Sequence, residues 1–150
     1  SANIEGLVET STNIGIVSLS ENEFFASSGV RSSVEAARDA LSDKIQYLTE
    51  FLGGEYEIQG AYPAWEYRKE SPLRDKMVTV YENMYGQKPE VVAIHAGLEC
   101  GLFYKKIDGL DCVSLGPDMK DIHTSEEVLD IASTERVWKY LVKVLEELKD

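Results

Sequence analysis

The sequence is poor in basic residues, cysteine and histidine, and it contains no long apolar run. Its 15 Lys and Arg stand against 27 Asp and Glu, and the resulting net charge of −12 disfavours binding to nucleic acid. No apolar run approaches the roughly 20 residues that cross a bilayer. Residues 1–10 lack the basic and then apolar pattern of a signal peptide. We therefore expect neither nucleic acid nor a membrane as a partner.

The two cysteines and two histidines limit the kinds of disulfide and metal site that the chain could form. Cys100 and Cys112 lie twelve positions apart without a C-x-x-C unit, which argues against a disulfide framework or a structural zinc knot. This pattern favours a reducing cytoplasm. With 43% hydrophobic and 28% charged residues, the 150-residue composition is typical of a globular protein. Only His95 and His123 offer imidazole.

The first part of the chain predicts a β-β-α-β layer. Residues 14–17 and 23–25 have strand character and flank a turn at 20–22, and the second strand continues to Arg31. Ser32 and Glu35 have the spacing of a capping box, which predicts a helix that the Gly53-Gly54 pair ends. The inward positions of this helix are Val34, Ala37, Leu41, Ile45, Leu48 and Leu52. Tyr56 and Ile58 predict a short third strand.

The second part predicts an α-β-α-β-α order after a boundary near 61–68. Ser71-Pro72 predicts a capped helix start, and Gly86 predicts its end. Residues 91–94 and 112–115 are short apolar runs typical of strands in a parallel sheet. Helices are predicted over 97–104 and from Ser133, the latter with Val137, Leu141, Val144, Leu145 and Leu148 inward. The fold class is therefore α/β, with an α+β first portion.

His123 is the sharpest candidate for a functional residue. It follows a predicted strand and the Gly116-Pro117 turn, where ligands of open α/β sheets gather. Imidazole is a favoured zinc ligand, and Asp121, Glu126 and Glu127 are near enough in sequence to orient it. A plain surface histidine is the alternative that spacing alone leaves open.

Several runs together carry a family resemblance. HAGLECGLF, SLGP and the HTSEE turn before a closing amphipathic helix resemble the C-terminal region of the aminoacyl-histidine dipeptidases. These Xaa-His dipeptidases, also called bacterial carnosinases, are a branch of the co-catalytic di-zinc metallopeptidase family. VETSTNIGIV, VRSS and GAYPAW resemble the same branch in the same order, so the similarity covers nearly the whole chain.

The resemblance implies a division of the chain and one metal ligand. Residues 1–61 match the C-terminal portion of a lid domain that also mediates dimerisation. Residues 62–150 match the terminal segment of the catalytic domain. His123 matches the last ligand of a two-zinc centre, in which the metals activate a water and polarise the scissile carbonyl. The H-x-D motif, the further aspartate and the Glu-Glu pair that complete such a centre have no counterpart here, so no catalytic residue is assigned to this chain.

The resemblance also implies substrate contacts. Arg31 matches an arginine near the substrate carboxylate, with a guanidinium suited to bidentate binding; an ion pair on the lid surface is the alternative. Asn13 matches a lid asparagine that faces the cleft. Gly97 lies in a glycine-rich loop that lines the pocket. Glu99 would meet the dipeptide or only favour the start of a helix, and His95 would touch substrate or pack in the core.

These observations predict part of a zinc-dependent dipeptidase that hydrolyses Xaa-His dipeptides and is inactive on its own. A complete centre would hold two zinc ions, with at most one ligand from this chain. The partners expected are a small dipeptide, a second copy through the lid, and the N-terminal part of the same enzyme. The rival hypothesis is a non-catalytic dimerisation or binding module. A third is that a separate chain supplies the missing half.

Overall fold

The computed structural model describes residues 1, 4–93 and 99–149. Its elements in chain order are β1 (Thr10–Leu19), β2 (Phe24–Ser32), α1 (Glu35–Phe51), α2 (Pro72–Tyr85), α3 (Glu99–Lys106), β3 (Met119–Lys120), β4 (Val128–Leu129) and α4 (Ile131–Glu147). They form two compact units. The hairpin unit comprises residues 1–69 and 92–110, and the helical unit comprises residues 70–91 and 111–150.

The hairpin unit is built on the antiparallel pair β1 and β2. Pairing runs from Thr10 opposite Ser32 to Leu19 opposite Phe24, with a bulge between Ile14 and Ile16. The turn closes where the Ser20 hydroxyl accepts the backbone N–H of Glu23 at 3.1 Å. The predicted hairpin and the continuation of its second strand to Arg31 are confirmed.

Helix α1 forms where the sequence predicts it, but the capping box is wrong. Ser32 is the last residue of β2, and its hydroxyl accepts the N–H of Val34 at 3.0 Å instead of that of Glu35. Val34 takes the N-cap position without a side-chain cap. The Glu35 carboxylate faces Arg38 and Lys105. The hydroxyl of Ser32 is thus used in the turn after β2 and does not cap α1.

Helix α3 sits close against the segment before residue 66. A Cβ added at Gly101 would lie 3.0 Å from the carbonyl oxygen of Pro63 and 3.5 Å from Cβ of Trp65. The same segment is held from α1, because the Arg38 guanidinium donates to the carbonyl of Tyr62. The hairpin unit therefore joins α1, α3 and residues 62–65.

Helix α2 opens the helical unit with the predicted cap. The Ser71 hydroxyl accepts the N–H of Arg74 at 3.1 Å and donates to Oδ1 of Asp111 at 2.7 Å. Oδ2 of the same carboxylate accepts the N–H of Leu73 at 2.9 Å. A carboxylate at a helix N-terminus is favourable because free backbone N–H groups point toward it. Gly86 ends the helix in the left-handed conformation (φ 70°), as the sequence predicts.

The apolar core of the helical unit lies between α2 and α4. Its buried members are Met77, Val80, Tyr140 and Val144, with Leu73, Tyr81, Tyr85 and Val113 packed against them. The rings of Tyr81 and Tyr140 meet edge to face at 5.4 Å between centroids. Of the residues predicted inward on α4, Leu145 and Leu148 are instead 54% and 48% exposed. Trp138 is also exposed.

Three predicted strands are absent from the described residues. Residues 55–59, 91–93 and 112–115 run without helical or strand assignment, and Ile94 lies outside the described residues. A strand depends on a neighbouring strand that pairs with it, so a short apolar run alone does not determine one. The predicted parallel pair is thus not among the strands assigned to the described residues. The mixture of helices and small sheets still confirms the α/β class.

No helix in the described ranges combines the length and apolarity needed to span a membrane.

Candidate functional site

His123 lies at the tip of a small hairpin in the helical unit. Strands β3 and β4 pair Met119 with Leu129 and Lys120 with Val128, and the intervening turn carries the histidine. The residue is exposed, and its backbone is left-handed with φ 70°. Asp121 shares that conformation with φ 51°. Left-handed backbone is uncommon outside glycine, so two such residues in one turn require other contacts to hold them.

Side-chain hydrogen bonds supply those contacts. Oε2 of Glu127 accepts the backbone N–H of His123 at 2.9 Å. The Thr124 hydroxyl donates to the carbonyl of Asp121 at 2.7 Å and accepts the N–H of Glu126 at 3.1 Å. The polar residues of HTSEE thus close the turn on itself. The carboxylate of Glu127 acts on the backbone of His123, whereas its position in sequence suggested a partner for the ring.

The base of this turn is fastened to the start of α4. The Ser133 hydroxyl accepts the N–H of Asp118 at 2.8 Å, and Ser133 is buried. Asp130 caps α4 by accepting the N–H of Ser133 at 2.6 Å, and its own N–H donates to the carbonyl of Asp118 at 3.0 Å. The D-x-x-S spacing of Asp130 and Ser133 is a sequence signal for this cap, and the helix begins at Ile131, two residues before the predicted start at Ser133.

The described residues do not by themselves fit a zinc centre. Outside the masked positions, no three side chains of His, Cys, Asp or Glu come together as metal ligands would. A catalytic zinc generally takes about three protein ligands. His123 supplies one accessible imidazole, so no metal-dependent step follows from this chain alone.

Asn13 and Arg31 come together on one face of the hairpin. Asn13 pairs with Gly29, and Ser11 pairs with Arg31, in the regular register before the bulge. Directly paired residues and those two positions apart share a face, which makes Asn13 and Arg31 diagonal neighbours roughly 7–8 Å apart. Both side chains are exposed, and Gly29 adds none of its own. The arrangement offers an amide and a guanidinium side by side.

The remaining predicted contacts are placed less fully. Glu99 is the first residue of α3 and is exposed, an arrangement that fits either of its two predicted roles. His95 and Gly97 lie outside the described residues. In the partition of the chain, Asn13, Arg31 and Glu99 belong to the hairpin unit, and His123 belongs to the helical unit.

Sequence reasoning missed a charge cluster in the hairpin unit. Glu35 accepts from Nζ of Lys105 at 2.8 Å and from the Arg38 guanidinium at 3.3 Å. The hydrogen bond from Lys105 is the main reason that the pKa of the Glu35 carboxyl falls below its ordinary value. The Glu35–Lys105 pair spans 70 positions, so no local pattern could reveal it.

Nearly the whole chain is similar to one portion of a dipeptidase. One curated relative is the cytosol non-specific dipeptidase of Escherichia coli (strain K12), 33% identical over 144 residues. That match takes in 96% of this chain and 30% of the relative. A solved structure, the aminoacylhistidine dipeptidase from Vibrio alginolyticus, is 36% identical with a TM-score of 0.82. The structural match takes in 98% of this chain and 30% of the Vibrio chain.

The chain thus spans 30% of the length of each of these two relatives. No protein-family model matches it. The two relatives confirm the resemblance to the C-terminal portion of a dipeptidase, which the sequence motifs predicted.

Proposed function

We propose that this chain is the C-terminal part of a zinc-dependent dipeptidase that cleaves Xaa-His dipeptides. The observation that carries the proposal is the match of 98% of the chain to one solved dipeptidase at a TM-score of 0.82. Residues 1–61 would be the end of the lid domain, and residues 62–150 the end of the catalytic domain. Since the described residues do not fit a metal centre alone, the isolated chain is proposed to be inactive.

His123 is proposed as the single metal ligand from this chain. Its exposed position at the tip of a hairpin supports the assignment, because a ligand to a metal held mainly by other residues must be accessible. Two zinc ions would complete the centre in the whole enzyme, polarising the scissile carbonyl and activating water. Their remaining ligands would come from residues outside this chain.

Asn13 and Arg31 are proposed to bind the substrate. A guanidinium beside an amide on one exposed face suits a carboxylate, since both groups donate hydrogen bonds to its oxygens. The C-terminal carboxylate of a dipeptide is the chemical group that fits. Glu99, His95 and Gly97 are proposed to line the same pocket.

The preference for histidine at the second position is also a proposal. The Vibrio relative is called an aminoacylhistidine dipeptidase, whereas the Escherichia relative is called non-specific. We therefore propose a peptide substrate with C-terminal histidine, and comparison of a His-ending with a Leu-ending dipeptide would test it. A cytoplasmic location is proposed on the cysteine pattern and on the word cytosol in the name of the Escherichia relative.

A chimera tests the proposed function. This chain would replace the matching 30% of the Escherichia dipeptidase, and hydrolysis of Gly-His would be followed together with bound zinc. We expect activity from the chimera, none from the chain alone, and loss of at least about a hundredfold with His123→Ala. A chimera with native circular dichroism that keeps its activity after His123→Ala would overturn the ligand assignment.

A non-catalytic dimerisation module is the second candidate, and the hairpin favours it. Within the described residues β1 and β2 form a two-stranded sheet, so both outer edges are unpaired. Ile14, Val17, Leu19 and Phe24 are each at least 58% exposed on it. Exposed strand edges pair readily with a second chain. A dimer by sedimentation, together with an inactive but folded chimera, would favour this candidate over the dipeptidase.

A further inference from the structure

The HTSEE turn contains a residue whose carboxylate acts on the candidate histidine through the backbone. We propose that Glu127 is a positioning residue for His123: its carboxylate holds the left-handed backbone that presents the imidazole at the tip of the turn. The inference rests on the proposed function only in taking that imidazole as the group that acts.

The geometry assigns this role to Glu127 specifically. Oε2 of Glu127 lies 2.9 Å from the backbone nitrogen of His123, within the range of a charge-assisted hydrogen bond. His123 needs such support because L residues other than glycine rarely adopt φ near 70°. If the backbone returned to negative φ, the imidazole would leave the tip in a different direction.

Glu127 is itself fixed on both sides. Its backbone N–H donates to the carbonyl of Thr124 at 3.3 Å, which closes the turn behind it. Directly after it, Val128 pairs with Lys120 in the β3–β4 ladder. The carboxylate therefore reaches back over four residues from a defined place. Glu126, its neighbour, is tied through its backbone N–H to Thr124, so the two glutamates play different parts.

Three variants of the full chain separate these parts. Glu127→Ala removes the acceptor, Glu127→Gln keeps a side-chain oxygen at the same reach, and Glu126→Ala is the matched control. The readouts are amide hydrogen exchange at His123 and the side-chain rotamer populations of His123 by NMR couplings. We expect about tenfold faster exchange and averaged rotamers with Glu127→Ala, substantial rescue with Glu127→Gln, and wild-type behaviour with Glu126→Ala.

A glycine background tests whether the carboxylate holds the backbone in particular. Glycine adopts positive φ without help, so Glu127→Ala should lower the unfolding midpoint much less in His123→Gly than in the wild type. Equal losses in both backgrounds, or an unchanged His123 rotamer in Glu127→Ala, would overturn the positioning role. None of these measurements depends on hydrolysis, so an inactive chimera would count against the proposed function and leave this inference standing.

Discussion

The hydroxyl of Tyr140 on α4 donates a 2.8 Å hydrogen bond to the backbone carbonyl of Met77 on α2, inside the core of the helical unit. Replacing Tyr140 with phenylalanine would keep the ring contact with Tyr81 and leave that buried carbonyl without this donor. We expect a loss of about 1–3 kcal/mol in the free energy of unfolding, measured by urea titration. Tyr85→Phe, which removes an exposed bond to the carbonyl of Arg136, is the control and should cost less.

The same tyrosine predicts a sensitivity to alkali. Burial is the main cause that raises the pKa of Tyr140 above its ordinary value of 10.0. Because the folded pKa is the higher one, the contribution to stability is complete below pH 10.0 and is lost as pH rises through the folded pKa. Urea midpoints across that range should fall more steeply for the wild type than for Tyr140→Phe, and parallel curves would contradict the prediction.

The cap of α2 predicts a second site of destabilisation. Ser71→Ala removes the bond from the Arg74 N–H and the bond to Asp111 at a buried position. The expected loss is about 1–2 kcal/mol, read as a lower midpoint in thermal unfolding. Thr79→Ala on the exposed side of the same helix should stay within about 0.5 kcal/mol of the wild type. Equal effects of the two changes would show that the cap is not the cause.

The Glu35–Lys105 pair predicts a dependence on acid and salt. Since its hydrogen bond to Lys105 lowers the pKa of Glu35, the stabilisation is present above the ordinary pKa of 4.5 and is lost as pH falls through the folded value. Both side chains are more than 40% exposed, so the effect should be small and weaken in 1 M salt. Glu35→Gln should lower the unfolding midpoint at pH 7, and its difference from the wild type should shrink as pH falls below 4.5.

Substitution of Gly101 tests how closely α3 packs against the Pro63 segment. Alanine is the better helix former by about 1 kcal/mol, yet its Cβ would meet the Pro63 carbonyl oxygen at 3.0 Å. Backbone atoms move less readily than a side-chain tip, so we expect the clash to dominate. Gly101→Ala should therefore speed amide exchange across α3, while Lys106→Ala at the end of the helix should not. Slower exchange in Gly101→Ala would show that helix propensity wins.

Local signals in the sequence accounted for most of the elements. The Ser71-Pro72 start, the Gly86 end and the β1–β2 hairpin were predicted because each depends on residues within a few positions. No strand is assigned at 56–58 or 112–115, where the sequence predicted one, because a strand also depends on a neighbour that the local pattern does not specify. The predicted burial of Leu145 and Leu148 was wrong for a related reason. Apolar spacing identifies one face of a helix but does not specify which residues pack against it.

In the candidate site too, some features follow from the local sequence and others depend on the folded structure. The exposed position of His123 at a turn fits the sequence pattern, whereas its left-handed backbone and the hydrogen bond that its N–H donates to Glu127 are set by the whole turn. The side-by-side placement of Asn13 and Arg31 needed the strand register. Their proposed roles, and those of His95, Gly97 and Glu99, stay predictions.

The bulge at Gly15 determines which side chains lie on each face of the β1–β2 hairpin. With it, Ile14 and Val17 fall on the side of Leu19 and Phe24, away from Asn13 and Arg31. If Gly15 were instead paired with β2 in strict alternation, Val17 and Leu19 would turn to the side that carries Asn13 and Arg31. The bulge therefore keeps Val17 and Leu19 off the face that carries Asn13 and Arg31, and leaves Ile16 and Phe25 as the large apolar side chains of the β1–β2 hairpin that share it.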